Sequence, residues 1–170
     1  IINGEDRTGI TVHIVDEGID TGPIIVQEMV QINSNDTGAD LLEKFERRYP
    51  ELIVNAIKKL ENGYEPVEQM HSKASFFFIL TPDMGFIDFR LSLEQIRNFI
   101  RAQAPPYPGA YCYLPNGKKI IVTDIELSKK NIPLPINKYI ACEHEDEIFV
   151  KIDEGWAKCV VVDQIKGEES

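Results

Sequence analysis

Residues 8–25 read Thr8-Gly-Ile-Thr-Val-His-Ile-Val-Asp-Glu-Gly-Ile-Asp-Thr-Gly-Pro-Ile-Ile25, and this stretch decides how the whole chain is interpreted. Residues 11–15 and 23–30 are apolar and rich in β-branched side chains, which predicts two buried strands. The acids and glycines of residues 16–22 predict a tight loop between them. Two interpretations of the loop stay open: a solvated acidic hairpin turn, or a loop that holds Asp20 near a cleft as a proton-handling carboxylate.

Two further segments carry motifs. One is Thr81-Pro-Asp-Met-Gly-Phe-Ile-Asp88, and the other is Ile96-Arg-Asn-Phe-Ile-Arg-Ala102 followed by Pro105-Pro-Tyr-Pro-Gly-Ala110. Together with residues 8–25, and in the same order along the chain, they resemble the 10-formyltetrahydrofolate-dependent formyltransferases. They are most similar to the branch that contains methionyl-tRNA formyltransferases, nucleotide-sugar N-formyltransferases and formyltetrahydrofolate hydrolases.

The resemblance implies the fold class α/β, in two parts. Residues 1–115 resemble the C-terminal half of a Rossmann-like formyltransferase domain with its proline-rich connecting loop, and residues 116–170 resemble the small OB-like β barrel that follows it. The residues themselves support the second part, because Asn116-Gly117 predicts a type I′ turn and four strand-like runs follow it. These runs are residues 119–127, 139–143, 147–152 and 157–165.

Helices are predicted in the first part of the chain. A first helix is expected over residues 37–49, Pro50 is expected to break or restart it, and residues 51–61 continue the apolar stripe. Asn62-Gly63 is typical of a helix end.

Three local predictions complete the secondary structure. Ser92-Leu-Glu-Gln95 predicts a capping box that opens a helix over residues 93–102, and residues 81–88 match a hairpin in the relatives. The side chains predicted to lie in the core of the β part are Trp156, Val160 and Val162.

The resemblance also implies an active site. In the family an Asn, a His and an Asp surround the formyl carbon of 10-formyltetrahydrofolate, the co-substrate, and an amine attacks that carbon. Asp20 matches the catalytic Asp, which orients the His and helps to move protons. The residues that match the cofactor-binding loop, whose backbone contacts the pterin ring, are Asp16, Glu17, Gly18 and Ile19. The family's Asn-x-His pair lies on a segment before Ile1 and is not among these 170 residues.

Four further residues are candidates for substrate binding. His13 matches a His common in glycinamide ribonucleotide formyltransferases, and a hydrogen-bonded supporting role is at least as consistent with its place on a strand as a catalytic one. Arg97 and Arg101 share a helix face, where they could grip a diphosphate or a folate glutamate, or pair with surface acids. Tyr107 in the proline-rich loop could stack on a base or sugar, or simply pack.

Charge bears on the identity of the acceptor. The net charge is −10, and residues 117–170 hold eight basic and eleven acidic side chains. Phosphate binding needs clustered Lys and Arg, so nucleic acid is not the expected partner. The preferred acceptor is a small molecule, the amine of a nucleotide-linked amino sugar. Three alternatives stay open: a methionyl-tRNA formyltransferase, a formyltetrahydrofolate hydrolase, and a non-catalytic fragment that binds a partner.

The composition of the chain bears on its cellular compartment. Cys112, Cys142 and Cys159 are widely spaced and form neither a disulfide framework nor a zinc motif, which favours the reducing cytoplasm and a protein without a metal site. No apolar run approaches the roughly 20 residues that span a bilayer, and no leader is expected, so no membrane association is predicted. The sequence leaves a homodimer open.

Overall fold

The computed structural model describes residues 1–77, 79–130, 132 and 137–163. Residues 162 and 163 are described by their backbone only. The chain forms two compact units. The hairpin unit consists of Glu5–Ser34 and Asp40–Ile79, and the β unit consists of Ile1–Gly4, Asn35–Ala39 and the chain from Leu80 onward. None of the helices in the described part of the chain combines the length and apolar character that crossing a bilayer requires.

The hairpin unit begins with two antiparallel strands. Strand β1 (Arg7–His13) pairs with β2 (Ile24–Gln31). The predicted bounds of the first strand, residues 11–15, are therefore wrong. Pairing with β2 extends β1 toward the N-terminus, and the Ile14 N–H donates to the Pro23 carbonyl at the neck of the connecting loop, 2.9 Å away. Val15, beyond this neck, belongs to the loop and is 87 % exposed.

A single helix, α1 (Gly38–Glu61), follows the hairpin and contains Pro50 in its interior. The predicted break at Pro50 is wrong. Proline removes one helix hydrogen bond, but Phe45 and Leu52, on either side of it, both pack against the apolar cluster of the hairpin. Tertiary packing therefore holds the helix continuous across a residue that would end an isolated helix.

The predicted end of α1 is confirmed. Gly63 has a φ of +78°, the left-handed conformation that glycine adopts without strain. Its N–H donates to the carbonyl of Leu60, and the N–H of Tyr64 donates to the carbonyl of Lys59. These bonds satisfy carbonyl groups that the last turn leaves without helical partners.

The β unit opens with a short 3₁₀ turn and a helix. Residues Pro82–Gly85 form the 3₁₀ turn, so the hairpin expected at residues 81–88 is wrong; Pro82 sits at the first position of that turn, which its fixed φ favours. Helix α2 (Leu93–Ala102) and its capping box are confirmed. The Ser92 hydroxyl accepts from the Gln95 N–H, and the Gln95 side chain accepts from the Ser92 N–H.

A five-stranded antiparallel sheet follows α2 and curls into a half-barrel. Its order is β3-β4-β7-β6-β5. The strands are β3 (Ala110–Tyr113), β4 (Lys119–Ser128), β5 (Ala141–His144), β6 (Glu147–Ile152) and β7 (Gly155–Asp163). The four predicted runs correspond to β4–β7, and the end of the last run, residues 164–165, lies outside the described residues. Strand β3 was not predicted, because its four residues directly follow the proline-rich loop.

The turn between β3 and β4 differs from the predicted type. Gly117 has a φ of +83° while Asn116 does not have a positive φ, and type I′ requires both. The Gly117 N–H donates to the Leu114 carbonyl, and the Leu114 N–H donates to the Lys118 carbonyl. Pro115 fixes a negative φ at the start of this turn, so the hairpin uses a three-residue loop with one left-handed glycine.

The core of the β unit lies between α2 and the sheet. Ile96 and Ile100 of α2 pack with buried side chains of the strands, including Ile125. Along β7 the side chains alternate, so Ala157 and Cys159 face this core while Val160 points away and is 39 % exposed. The predicted core position of Val160 is therefore wrong.

A second, smaller cluster of the β unit contains Ile132, Cys142 and Phe149, and Trp156 packs against it. The predicted burial of Trp156 is thus confirmed in part, since its side chain is half-buried. The side chain of Val162 lies outside the described residues.

The compact unit that contains the sheet starts at Leu80, well before the expected domain boundary at residues 115/116. Helix α2 and strand β3 share one core with the later strands, which accounts for this early start. The division into domains 1–115 and 116–170 stays a prediction.

Candidate active-site loop of the hairpin unit

The loop of residues 14–23 connects β1 to β2. Residues 14–20 are exposed, while the neck of the loop is closed by the hydrogen bond between Ile14 and Pro23. The loop contains all five predicted catalytic and cofactor-binding residues, and His13 stands at its base as the last residue of β1. The structure therefore presents the predicted site as one solvent-facing loop on a paired hairpin.

Asp16 organises the first half of the loop. One oxygen of its carboxylate accepts hydrogen bonds from the Thr21 hydroxyl, at 2.6 Å, and from the Gly18 N–H, at 3.0 Å. The Thr21 bond, followed by the Gly18 bond, holds the pKa of Asp16 below its ordinary value, because both donors stabilise the ionised form. Oδ1 of Asp16 is occupied by bonds within the loop. A contact between Asp16 and a cofactor would therefore be made by the backbone of Asp16 or by its second carboxylate oxygen.

Gly22 makes the tight neck possible. A Cβ at Gly22 would lie 1.8 Å from the carbonyl oxygen of Ile14, so no other residue fits without moving the backbone. A Cβ at Gly18 would lie 2.1 Å from the Thr21 hydroxyl, which bonds Asp16. The two glycines therefore allow the close approach of backbone and side chain that shapes the loop.

Asp20 and His13 are brought together. Asp20 Oδ1 lies 3.5 Å from His13 Nε2, and the Asp20 side chain is 88 % exposed. The other ring nitrogen of His13 lies 2.8 Å from the Ile14 carbonyl oxygen. The imidazole of His13 is thus held between the Ile14 carbonyl and the exposed Asp20 carboxylate.

The tip of the loop is open to a ligand. Glu17 is exposed, and the Ile19 side chain is 92 % exposed, an unusual position for a large apolar group. An aromatic ring placed against residues 17–19 would cover this apolar surface. The predicted cofactor-binding residues are therefore available for such a contact, and their role stays a prediction.

Gln69 is part of the site although sequence reasoning missed it. Its side-chain nitrogen donates to the carbonyl oxygens of Asp20, at 2.9 Å, and Gly22, at 2.7 Å. Gln69 lies 49 residues after Asp20 in the chain. No local pattern marks a single glutamine in a polar segment, so only the fold reveals this contact.

The predicted substrate-binding residues Arg97, Arg101 and Tyr107 belong to the β unit and each has partners there. Arg97 forms an ion pair with Asp124 at 3.4 Å, the surface pairing that was the open alternative. The other two have internal contacts.

Arg101 donates to the Asn98 side chain, at 2.9 Å, and to the Asp36 carbonyl, at 2.6 Å. The Tyr107 ring lies against Gly38, where a Cβ would come within 2.6 Å of it. These contacts anchor the start of α1 within the β unit, and a role for the three residues in substrate binding stays a prediction.

Comparison with protein-family models identifies the family of the chain. Residues 1–57 match the model of the formyl transferase family, and residues 79–170 match the model of the formyl transferase C-terminal domain. The chain therefore belongs to the formyltransferase family, as the motifs predicted.

Individual relatives agree. The chain is 31 % identical over 165 residues to the methionyl-tRNA formyltransferase of Caldanaerobacter subterraneus subsp. tengcongensis, covering 96 % of this chain and 52 % of the relative. It is 42 % identical over 121 residues to the methionyl-tRNA formyltransferase of Carboxydothermus hydrogenoformans, covering 71 % of this chain and 39 % of the relative. The chain spans about half the length of the first of these curated relatives.

Solved structures confirm the predicted fold class. The N-formyltransferase from Helicobacter canadensis, in a complex with folinic acid and dTDP-3-aminofucose, matches with a TM-score of 0.67 and 27 % identity, over 95 % of this chain and 58 % of that one. The methionyl-tRNA formyltransferase from Clostridium thermocellum matches with a TM-score of 0.59 and 21 % identity, over 76 % and 55 % of the two chains, a likeness of fold.

Proposed function

We propose that this chain supplies the carboxylate and the folate-contacting loop of an N-formyltransferase. In the reaction, the nitrogen of a primary amine bonds to the formyl carbon of 10-formyltetrahydrofolate, and the bond from that carbon to the folate nitrogen breaks. The products are the formamide and tetrahydrofolate. One proton leaves the amine and one is taken up by the folate nitrogen.

The observation that carries this proposal is the Asp20–His13 pair on an open loop. We assign to Asp20 the relay of the amine proton, and to His13 the support of the Asp20 carboxylate through its ring. The exposed loop tip of residues 17–19 is assigned to the pterin ring of the co-substrate. The Helicobacter canadensis structure, which contains folinic acid, supports a folate ligand for this fold.

The donors that stabilise the oxyanion are assigned to residues outside these 170. The family resemblance places an Asn-x-His pair there, and the curated relatives are about twice as long as the part that this chain matches. Intact and native mass of the natural protein tests this assignment. Formyl transfer by the 170 residues alone would contradict it, and transfer only when these residues are joined to the remaining polypeptide is expected.

The test of Asp20 is its replacement by asparagine in the active protein. Asp20→Asn keeps the shape of the side chain but cannot take a proton, so kcat should fall about 10²–10⁴-fold. Asp6→Asn, an exposed carboxylate of the same unit beside Arg7, is the matched control and should retain wild-type turnover. A near-wild-type rate for Asp20→Asn would remove Asp20 from the mechanism.

For the acceptor we propose the amine of a nucleotide-linked amino sugar. The acidic balance of the chain, with a net charge of −10, disfavours a surface that binds tRNA phosphates. The Helicobacter canadensis neighbour is in complex with dTDP-3-aminofucose. A second candidate, charged initiator tRNA, is favoured by the sequence relatives, which are methionyl-tRNA formyltransferases.

The two acceptors are separated by comparing kcat/KM for dTDP- and UDP-linked amino sugars with kcat/KM for charged initiator tRNA. Turnover of a sugar nucleotide that changes little with salt supports the proposal. Turnover of tRNA alone, falling steeply as salt rises, would overturn it. Release of formate in the absence of any amine would instead indicate the hydrolase.

A further inference from the structure

The segment after α1 returns to the candidate loop. Val67 exchanges two backbone hydrogen bonds with Ile24, at 2.7 and 2.8 Å, where the loop enters β2. This bridge fixes the backbone of residues 67–69 beside the end of the loop. Gln69 is thereby held within reach of the loop although it is distant in sequence.

The side-chain amide nitrogen of Gln69 donates two hydrogen bonds to the loop. Both partners, the carbonyl oxygens of Asp20 and Gly22, are acceptors. The two hydrogens of one NH₂ group can satisfy both, whereas a carboxylate would place an acceptor against two acceptors. Gln69 therefore clamps the peptide groups that follow Asp20 and Gly22.

The clamp acts on a backbone conformation that an aspartate rarely adopts. Asp20 has a φ of +56°, in the left-handed region, and such residues persist when surrounding contacts determine them. Because the Asp20 side chain is almost entirely exposed, packing does not orient it. The direction of its carboxylate toward His13 therefore depends on the backbone that carries it.

We propose that Gln69 is a positioning residue for the reaction: it holds the Asp20 backbone in the left-handed conformation that directs the carboxylate at His13. The inference rests on the proposed function of Asp20. Gln69 itself touches neither the reacting atoms nor the imidazole.

The test compares Gln69→Ala, which removes the donors, and Gln69→Glu, which keeps the shape but replaces donors with acceptors. The matched control is Gln31→Ala, because Gln31 makes the same kind of bond, 2.7 Å to the Asp6 carbonyl, at the other end of the hairpin. In the 170-residue chain, amide hydrogen exchange of residues 18–22 should rise at least about tenfold in both Gln69 variants. It should stay at the wild-type rate in Gln31→Ala.

A second measurement reports on the contact between Asp20 and His13. The ¹⁵N chemical shifts of the His13 ring in both Gln69 variants should move to those of Asp20→Asn, because the carboxylate no longer faces the ring. A residue that merely stabilised the fold would leave these shifts unchanged. In the active protein, kcat of both Gln69 variants should fall at least about tenfold and by no more than kcat of Asp20→Asn, since Gln69 acts only through that carboxylate.

The inference would be overturned if both Gln69→Ala and Gln69→Glu kept the wild-type ¹⁵N shifts of the His13 ring and the wild-type amide exchange rates of residues 18–22. It would also be overturned if the loop loosened but kcat stayed unchanged in both variants while Asp20→Asn lost activity. Full turnover by Asp20→Asn would remove the proposed function instead, whatever the Gln69 variants show in the spectra. The two failures are therefore distinguishable.

Discussion

The hairpin unit and the β unit differ in how much they bury. Among the residues that the structure describes, the main core cluster of the β unit contains fifteen buried side chains, while the cluster that joins β1, β2 and α1 contains three. Yet the candidate catalytic loop belongs to the hairpin unit. The candidate loop is therefore supported by backbone pairing and loop hydrogen bonds rather than by a large core.

The hairpin unit also exposes apolar surface along α1. Ile53, Val54 and Ile57 are about half exposed, whereas Leu52 and Ala56 beside them are buried. Since burial of apolar area is the main favourable term in folding, the hairpin unit gains less from its own contacts than the β unit does.

The largest expected effect compares the two cores directly. Ile125→Ala removes a fully buried side chain from the main core cluster of the β unit and should cost about 3–5 kcal/mol of unfolding free energy. Leu52→Ala in the hairpin unit should cost about 2 kcal/mol, the low end for such a change, because its small cluster can collapse more easily. Urea unfolding followed by Trp156 fluorescence reports the first, and amide exchange of β1 and β2 reports the second. Equal losses would show that the two cores are equivalent.

A second prediction concerns the neck of the loop. Gly22→Ala places a methyl group against the Ile14 carbonyl and should cost about 1–3 kcal/mol by overpacking, with faster amide exchange in the loop. The methyl group of Gly63→Ala would have no atom within 4 Å. This substitution should therefore lower the unfolding free energy only through the positive φ, by about 1 kcal/mol. If Gly63→Ala proved the more damaging in urea titrations, the loop neck would not be the tight point described here.

A smaller effect is expected at the start of α2. Ser92→Ala removes the cap that accepts from the Gln95 N–H and should destabilise the β unit by about 1 kcal/mol. Ser72→Ala, at an exposed position of the hairpin unit, should change the unfolding free energy by less than about 0.5 kcal/mol. The midpoint of the Trp156 transition in urea measures both, and a shift of equal size in the control would argue against the cap.

The smallest predicted effect is a pH dependence of the β unit. Hydrogen bonds from Lys158 and then Lys130 lower the pKa of Glu147 from 4.5 to about 2. A pKa lowered by folding adds stability above the unfolded-state value, and this contribution is lost as pH falls from about 4.5 to about 2. Glu147→Gln should therefore flatten the acid limb of thermal stability, while Glu143→Gln on the neighbouring strand should retain it. An unchanged acid limb in Glu147→Gln would show that these ion pairs contribute nothing to stability.

Local sequence signals predicted the elements whose causes are local. The Ser92–Gln95 box and Gly63 mark helix ends because each satisfies backbone groups a few residues away. The turn signal at Asn116-Gly117 and the strand-like runs after it predicted β4–β7 for the same reason. The loop residues around Asp20 and their neighbour His13 were predicted from a motif whose members are close in sequence.

Two predictions failed for different physical reasons. Pro50 was expected to break α1, but packing of Phe45 and Leu52 on the hairpin keeps the helix continuous, so contacts with residues far away in the sequence outweighed the local preference. Val160 was placed in the core by its apolar side chain, although the alternation of β7 turns it outward.

The sequence by itself determined the family, the hairpin with its acidic loop and the β part, because short motifs, turn signals and strand-like runs encode them. Only the tertiary structure decided where β1 ends, that α1 is one helix, and that Gln69 holds the backbone of Asp20. The physical reason is that a hydrogen bond between residues 49 positions apart leaves no periodic trace in the chain. It depends on the segment after α1 lying beside the loop, where Ile24 and Val67 form a bridge.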